Sequence, residues 1–119
     1  MENKQRTMNM EQDTAMLDLF LEPSYIVDEK KVVTWANKPF LTRFNLTKDA
    51  LLAKMTCEEA CPTQLCGTKD CPVEKSRRIN KPVLTEVIYK DGDKGITFFT
   101  SKAVPMNGGS GTFVTLQDI

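Results

Sequence analysis

Residues 24–37 read SYIVDEKKVVTWAN. Ser24–Asp28 is a short apolar run suited to a strand, Glu29, Lys30 and Lys31 make a turn, and Lys31–Ala36 is a second run rich in β-branched residues, so the pair is expected to form a hairpin. Asn37 follows at once. Its side chain can accept from an otherwise unpaired backbone N–H, which places it as the N-cap of a short helix with Pro39 near its first turn and Phe40, Leu41 and Phe44 on its apolar side. Thr47 repeats the device ahead of residues 48–54.

Outward from this hairpin the pattern alternates in kind. Upstream, Met10, Met16, Leu17, Phe20 and Leu21 recur at near-helical spacing, so an amphipathic helix is expected from Asn9 to Leu21, ended by Pro23. Its apolar side would lie on the domain's own sheet or on a partner chain. Downstream, residues 72–80 read as an amphipathic helix stopped by Pro82, followed by strands at 83–90, 95–104 and 112–119. Asp91-Gly92-Asp93 and the 107–111 stretch NGGSG are the turns between them. Helix, two strands, several short helices and three strands make an α+β layout, with the last three strands an antiparallel meander.

A chain of 119 residues is one domain. Its 16 basic and 16 acidic residues cancel and no basic block stands out, which leaves no nucleic-acid footprint. No apolar run approaches the ~20 residues of a membrane span, and the polar start lacks a signal-peptide core, so a cytoplasmic setting with reduced thiols is expected. The chain holds no histidine. That removes the commonest metal ligand and the usual haem axial ligand, and argues against haem.

All four cysteines lie between Cys57 and Cys71, in CEEACPTQLCGTKDC. Cys57 and Cys61 are one helical turn apart and share a face, with Pro62 ending that helix. Cys71 precedes Pro72, a residue suited to the first helical position, which makes Cys71 an N-cap where the helix dipole favours a thiolate. Gly67 permits a tight loop between Cys66 and Cys71. Three readings stay open at this point. Cys57, Cys61, Cys66 and Cys71 could bind an iron–sulfur cluster or zinc through four thiolates, although paired C-x2-C knuckles are missing. They could form a thiol–disulfide switch, Cys66 with Cys71 above all or Cys57 with Cys61. Or they could pack as small hydrophobes.

The order of elements and the residues filling it resemble the PAS domain, a sensory module of bacterial signalling proteins. The hairpin with Asn37 behind it, the run of short helices, and the closing stretches NKPVLTEV and DGDKGITFFTSKAVPM carry the resemblance over about residues 17–119. The segment CGTKDCPV resembles a cysteine-bearing variant in PAS domains of chemoreceptors and sensor kinases of anaerobes. The resemblance implies a five-stranded antiparallel sheet with short helices on one face, residues 1–22 forming a dimerisation helix and residues 23–119 the domain proper. It also implies a small-molecule pocket between sheet and helices, lined here by Trp35, Asn37, Phe40 and Phe98, and an output domain in the same chain. Trp35 could stack there on a flavin, though an aromatic on a half-buried strand is more often core. The function implied is a non-enzymatic sensor of redox state or a small ligand, homodimeric and without nucleic-acid or membrane contact. The alternatives are a ligand-free dimerisation spacer and a dithiol oxidoreductase, the latter lacking C-x-x-C, histidine and a general base.

Overall fold

The computed structural model describes residues 21–90, 95–106 and 110–119. The expected helix at 9–21 (Leu21 apart), the turn at 91–93 and most of the 107–111 loop lie outside the described residues.

The first hairpin forms as its residues dictate. Strands β1 (Ser24–Asp28) and β2 (Val33–Ala36) pair antiparallel. Asp28 builds the turn: its carboxylate accepts from the N–H of Lys30 at 2.8 Å and of Val32 at 3.0 Å. Lys31 takes a left-handed φ of 67°. Strand β2 therefore starts later than the sequence pattern implies, because the turn uses Lys31 and Val32 turns away to bridge Thr56. A bulge after Ile26 leaves Thr34 as the extra residue, so Val33 still falls opposite Val27 on the buried face.

The chain then runs through α1 (Lys38–Arg43), α2 (Lys48–Leu52), α3 (Cys57–Ala60) and α4 (Pro72–Ile79). Strands β3 (Val83–Lys90), β4 (Ile96–Met106) and β5 (Gly111–Asp118) close the domain. The sheet order is β2-β1-β5-β4-β3 with every neighbouring pair antiparallel. The last strand thus lies beside the first, at the centre of the sheet. This is the expected α+β architecture of five antiparallel strands with short helices against one face. No helix among the described residues is long and apolar enough to cross a membrane.

Strand alternation sorts the side chains. Tyr25, Val27, Val87, Phe99, Ala103, Val114 and Leu116 are buried with Phe40, Phe44 and Val73 of the helices. Phe40 stacks between Tyr25 and Phe44 with ring centroids 4.9 and 4.7 Å away. The Arg43 guanidinium lies over the Phe44, Tyr89 and Phe99 rings at 5.3–5.7 Å and donates to the Thr97 hydroxyl at 2.9 Å.

Asn37 joins the two layers. It is fully buried. Its Oδ1 accepts from the N–H of Phe40 at 3.0 Å, which caps α1, and from the N–H of Ser24 at 2.9 Å, the first residue of β1. Its Nδ2 donates to the Glu22 carbonyl at 2.9 Å. Removing this amide deletes a cap and strands buried backbone donors. Asn37→Ala is therefore expected to lower stability by about 3 kcal/mol, read as a drop in the urea midpoint at unchanged slope, with Asn37→Asp recovering part of that loss because it keeps the acceptor.

Candidate functional site

The cysteine segment is placed by both free edges of the sheet. At one end the Val33 N–H donates to Met55 O and the Cys57 N–H to Lys31 O, each at 2.9 Å. At the other, Thr63 bridges Tyr89, the Gln64 N–H donates to Ile88 O at 3.3 Å, and the Gln64 side chain accepts from the Ile88 N–H at 2.7 Å. Residues 55–64 thus cross from the β2 edge to the β3 edge and satisfy backbone groups that an irregular, half-buried stretch would otherwise leave unpaired. Between them α3 is started by a reciprocal capping box. The Glu59 N–H donates to Thr56 Oγ1 and the Thr56 N–H to the Glu59 carboxylate. The Thr56-x-x-Glu59 pattern is legible in the sequence and marks the start of the helix that carries Cys57 and Cys61.

Tight turns follow. The Cys66 N–H donates to Thr63 O, the Thr68 N–H to Leu65 O and the Cys71 N–H to Thr68 O. Gly67 has φ 79°, the conformation for which a glycine was expected there. Cys71 is the N-cap of α4 with Pro72 behind it, as the sequence implies, but its side chain makes no capping hydrogen bond. Its sulfur instead faces the interior. Helix α4 packs on β3, β4 and β5. Arg77 locks it to the first hairpin, donating to Thr112 Oγ1 at 2.9 Å, to Glu29 O at 2.8 Å and to Asp28 O. A Lys31–Glu74 ion pair of 2.9 Å spans the same junction.

This scaffold gathers all four cysteines around one cavity of about 30 Å³ between sheet and helices. Tyr25, Ser101 and Thr63 line it too, on a floor of Val73, Val87 and Leu116. Cys57, Cys61 and Cys71 are buried, and Cys66 is half-buried. The Cys66 sulfur accepts from the Thr63 N–H at 3.3 Å and lies 3.6 Å from the Thr63 hydroxyl. Burial pushes the Cys57 thiol up to about 12, with the neighbouring Cys71 and Cys66 adding to the rise. Burial pushes Cys61 higher still, and Tyr25 is raised well above the usual phenol range by burial first and the four thiols second. Cys57 and Cys61 are thus neutral thiols at pH 7, poor nucleophiles unless a partner removes their protons.

All four cysteines are free thiols. Among the described residues no group of three or more His, Cys, Asp or Glu is drawn together closely enough to hold a metal ion. The donor set is chemically soft and suits zinc or an iron–sulfur cluster, but the thiols surround a space with no room for a cluster, so the arrangement as it stands does not fit one.

The other residues expected to line a pocket are placed differently. Asn37 and Phe40 are fully buried in the layer between helix and sheet. Trp35 pairs with Ile26, which in turn pairs with Phe113. That row lies on the face opposite Tyr25 and Val27, away from the helices. Phe98 is on this outer face as well, 47% exposed, while Phe99 takes the interior position at 0%. The sequence shows that adjacent strand residues part to opposite faces. Which of the two turns inward is decided by the pairing of Phe99 with Val87 and by its packing on Phe44.

Comparison with solved structures settles the architecture. The PAS domain of nitrogen regulation protein NR(II) from Vibrio parahaemolyticus matches at TM-score 0.68 and 12% identity, over 90% of this chain and 97% of that one. The fold is the PAS fold. A domain of the sensory box sensor histidine kinase/response regulator from Geobacter sulfurreducens matches at TM-score 0.66 and 16% identity, over 92% and 97% of the two chains. The PAS domain of Bordetella pertussis BvgS matches at 0.63 and 18%, over 92% and 84%. No protein-family profile and no curated protein matches the chain. At these identities the PAS likeness speaks for backbone architecture alone.

The raised thiols give a pH dependence with a defined sign. An unfolded cysteine loses its proton near its ordinary value of 9.0, and folded Cys57 only near 12. The unfolded state therefore binds fewer protons in that window, and stability falls as pH rises. Urea midpoints should be flat below pH 9 and decline towards pH 12, by up to about 1.4 kcal/mol per pH unit for this thiol. Cys61 and Tyr25 pull the same way, and Cys57→Ser should make the decline shallower.

Proposed function

We propose that this PAS domain is the sensing part of a signalling protein and that it reads redox state through a thiol–disulfide change in the Cys57–Cys71 segment. The observation that carries the reading is the convergence of four free thiols on one buried cavity, on a segment pinned to both sheet edges. The solved structures it resembles include domains of sensor histidine kinases, which supports a sensory role for a chain with the same architecture. A cytoplasmic setting, a homodimer and an output domain in the same chain complete the proposal.

Cys66 and Cys71 form the switching pair. They lie at the two ends of a loop held by single-turn hydrogen bonds, with Gly67 at positive φ between them. Bonding the two sulfurs would tighten the loop directly ahead of α4. Because α4 is tied to the hairpin by Arg77 and packs across three strands, a shift of its start would be felt in the sheet. The two states differ in a covalent bond, which supplies the differential free energy that a population shift requires.

A second reading, a thiolate-bound metal or iron–sulfur cluster, is favoured by the four thiols around one cavity and needs the segment to rearrange around the metal. One preparation separates the two. The protein is purified without oxygen, its absorption spectrum and metal content are recorded, and free thiols are titrated before and after diamide. The switch predicts colourless, metal-free protein that loses two of its four thiols and regains them with a reductant, with peptide mapping showing Cys66 joined to Cys71. Cys66→Ser and Cys71→Ser should each abolish that loss. Bound iron and sulfide would establish the cluster instead. Four titratable thiols after diamide in metal-free protein would refute both.

A further inference from the structure

Besides Thr63, two hydroxyl side chains line the thiol cavity. Tyr25 is 7% exposed and Ser101 3%. Both line the cavity, and the Tyr25 hydroxyl is close enough to feel all four cysteines. Among the described residues neither hydroxyl makes a hydrogen bond. Buried polar groups are rarely left so, because each costs about 1–3 kcal/mol. The volume of about 30 Å³ exceeds the ~10–15 Å³ that one water needs. It accommodates a molecule of two first-row atoms that can both donate and accept, and it is too small for an organic side group.

The cavity also has a way in. A surface cleft of about 170 Å³ is lined by Lys30, Thr56, Glu58 and Gly67, and Cys57, Cys66 and Cys71 line both it and the inner cavity. These thiols are the partition between solvent and interior. Cys66 is the one among them that is only half-buried, and its sulfur already receives the Thr63 N–H.

We propose that the cavity is a hydrogen peroxide site, in which Tyr25 and Ser101 hold the peroxide through their hydroxyls and Cys66 is the thiol it oxidises. The proposal rests on the thiol-switch reading above and names its oxidant. The Cys66 sulfur attacks one peroxide oxygen. An S–O bond forms and the O–O bond breaks. The departing oxygen, hydrogen-bonded by Tyr25 and Ser101, leaves as water with the thiol proton. Cys66 is then a sulfenic acid and the peroxide is reduced. The Cys71 sulfur attacks the Cys66 sulfur, the S–O bond breaks, and the hydroxyl leaves with the Cys71 proton as a second water. Two thiols and one peroxide thus become one disulfide and two waters.

The test compares reagents and variants in the reduced 119-residue chain. Rates of thiol loss are measured with hydrogen peroxide, with cumene hydroperoxide and with diamide, for the wild type, Tyr25→Phe and Ser101→Ala. Hydrogen peroxide should consume two thiols at least about tenfold faster than the bulky cumene hydroperoxide. Each substitution should slow the hydrogen peroxide reaction about tenfold, the worth of one hydrogen bond, and leave the diamide rate unchanged. Equal rates with the two hydroperoxides, or variants as fast as wild type with hydrogen peroxide, would overturn the site. So would variants slowed equally with diamide, since the hydroxyls would then act on the fold alone. A wild-type chain that forms no disulfide even with diamide would instead overturn the switch on which the site rests.

Discussion

An irregular stretch can be buried in a protein only if its backbone polar groups find partners. Residues 55–64 find theirs on the two outermost strands, at Lys31 and Val33 on one side and Ile88 and Tyr89 on the other. Much else follows from that constraint. It sets where α3 starts, keeps Cys57 and Cys61 turned inward, and delivers Cys66 to the boundary between core and solvent. It also shields parts of both sheet edges that would otherwise be open templates for strand addition.

The hairpin, the Asn37 and Thr47 caps, the Pro72 helix start and the three closing strands were legible in the sequence because each is fixed by neighbours in the chain. A β-branched run, a capping residue followed by its N3 donor, or a proline at the first helical position acts locally. The crossing of residues 55–64 between the sheet edges was not legible, since Thr63 with Tyr89 and Cys57 with Lys31 pair across 26 residues each by residue number and depend on which strands end up at the edges. The same limit applies to the phenylalanine pair. Alternation shows that Phe98 and Phe99 part company, but only the register with Val87 decides that Phe99 enters the core. Tyr25 gave no functional signal in the sequence. As one aromatic in a short strand it reads as core, and its hydroxyl gains meaning only when the cysteines are seen around it.

The four thiols are chemically unequal although they share one cavity. Burial holds Cys57 and Cys61 in the neutral form. They act as small, polarizable packing groups beside the half-buried Cys66. The chain has no histidine, and the Cys66 sulfur has the Thr63 N–H as its backbone partner.

Leu116 has a second consequence. It is 2% exposed, lines the thiol cavity, and also lines the open groove formed by Leu21, Glu22, Pro23, Lys38 and Asp118, where the first and last described stretches of the chain meet. Its own N–H is bonded to Pro23 O at 2.9 Å. A close-packed side chain shared by two hollows cannot shift in one without reshaping the other. Linkage then works in both directions with equal free energy. An occupant of the groove that displaced Leu116 would alter the inner cavity, and an occupant of the cavity that displaced it would alter the groove by the same free energy.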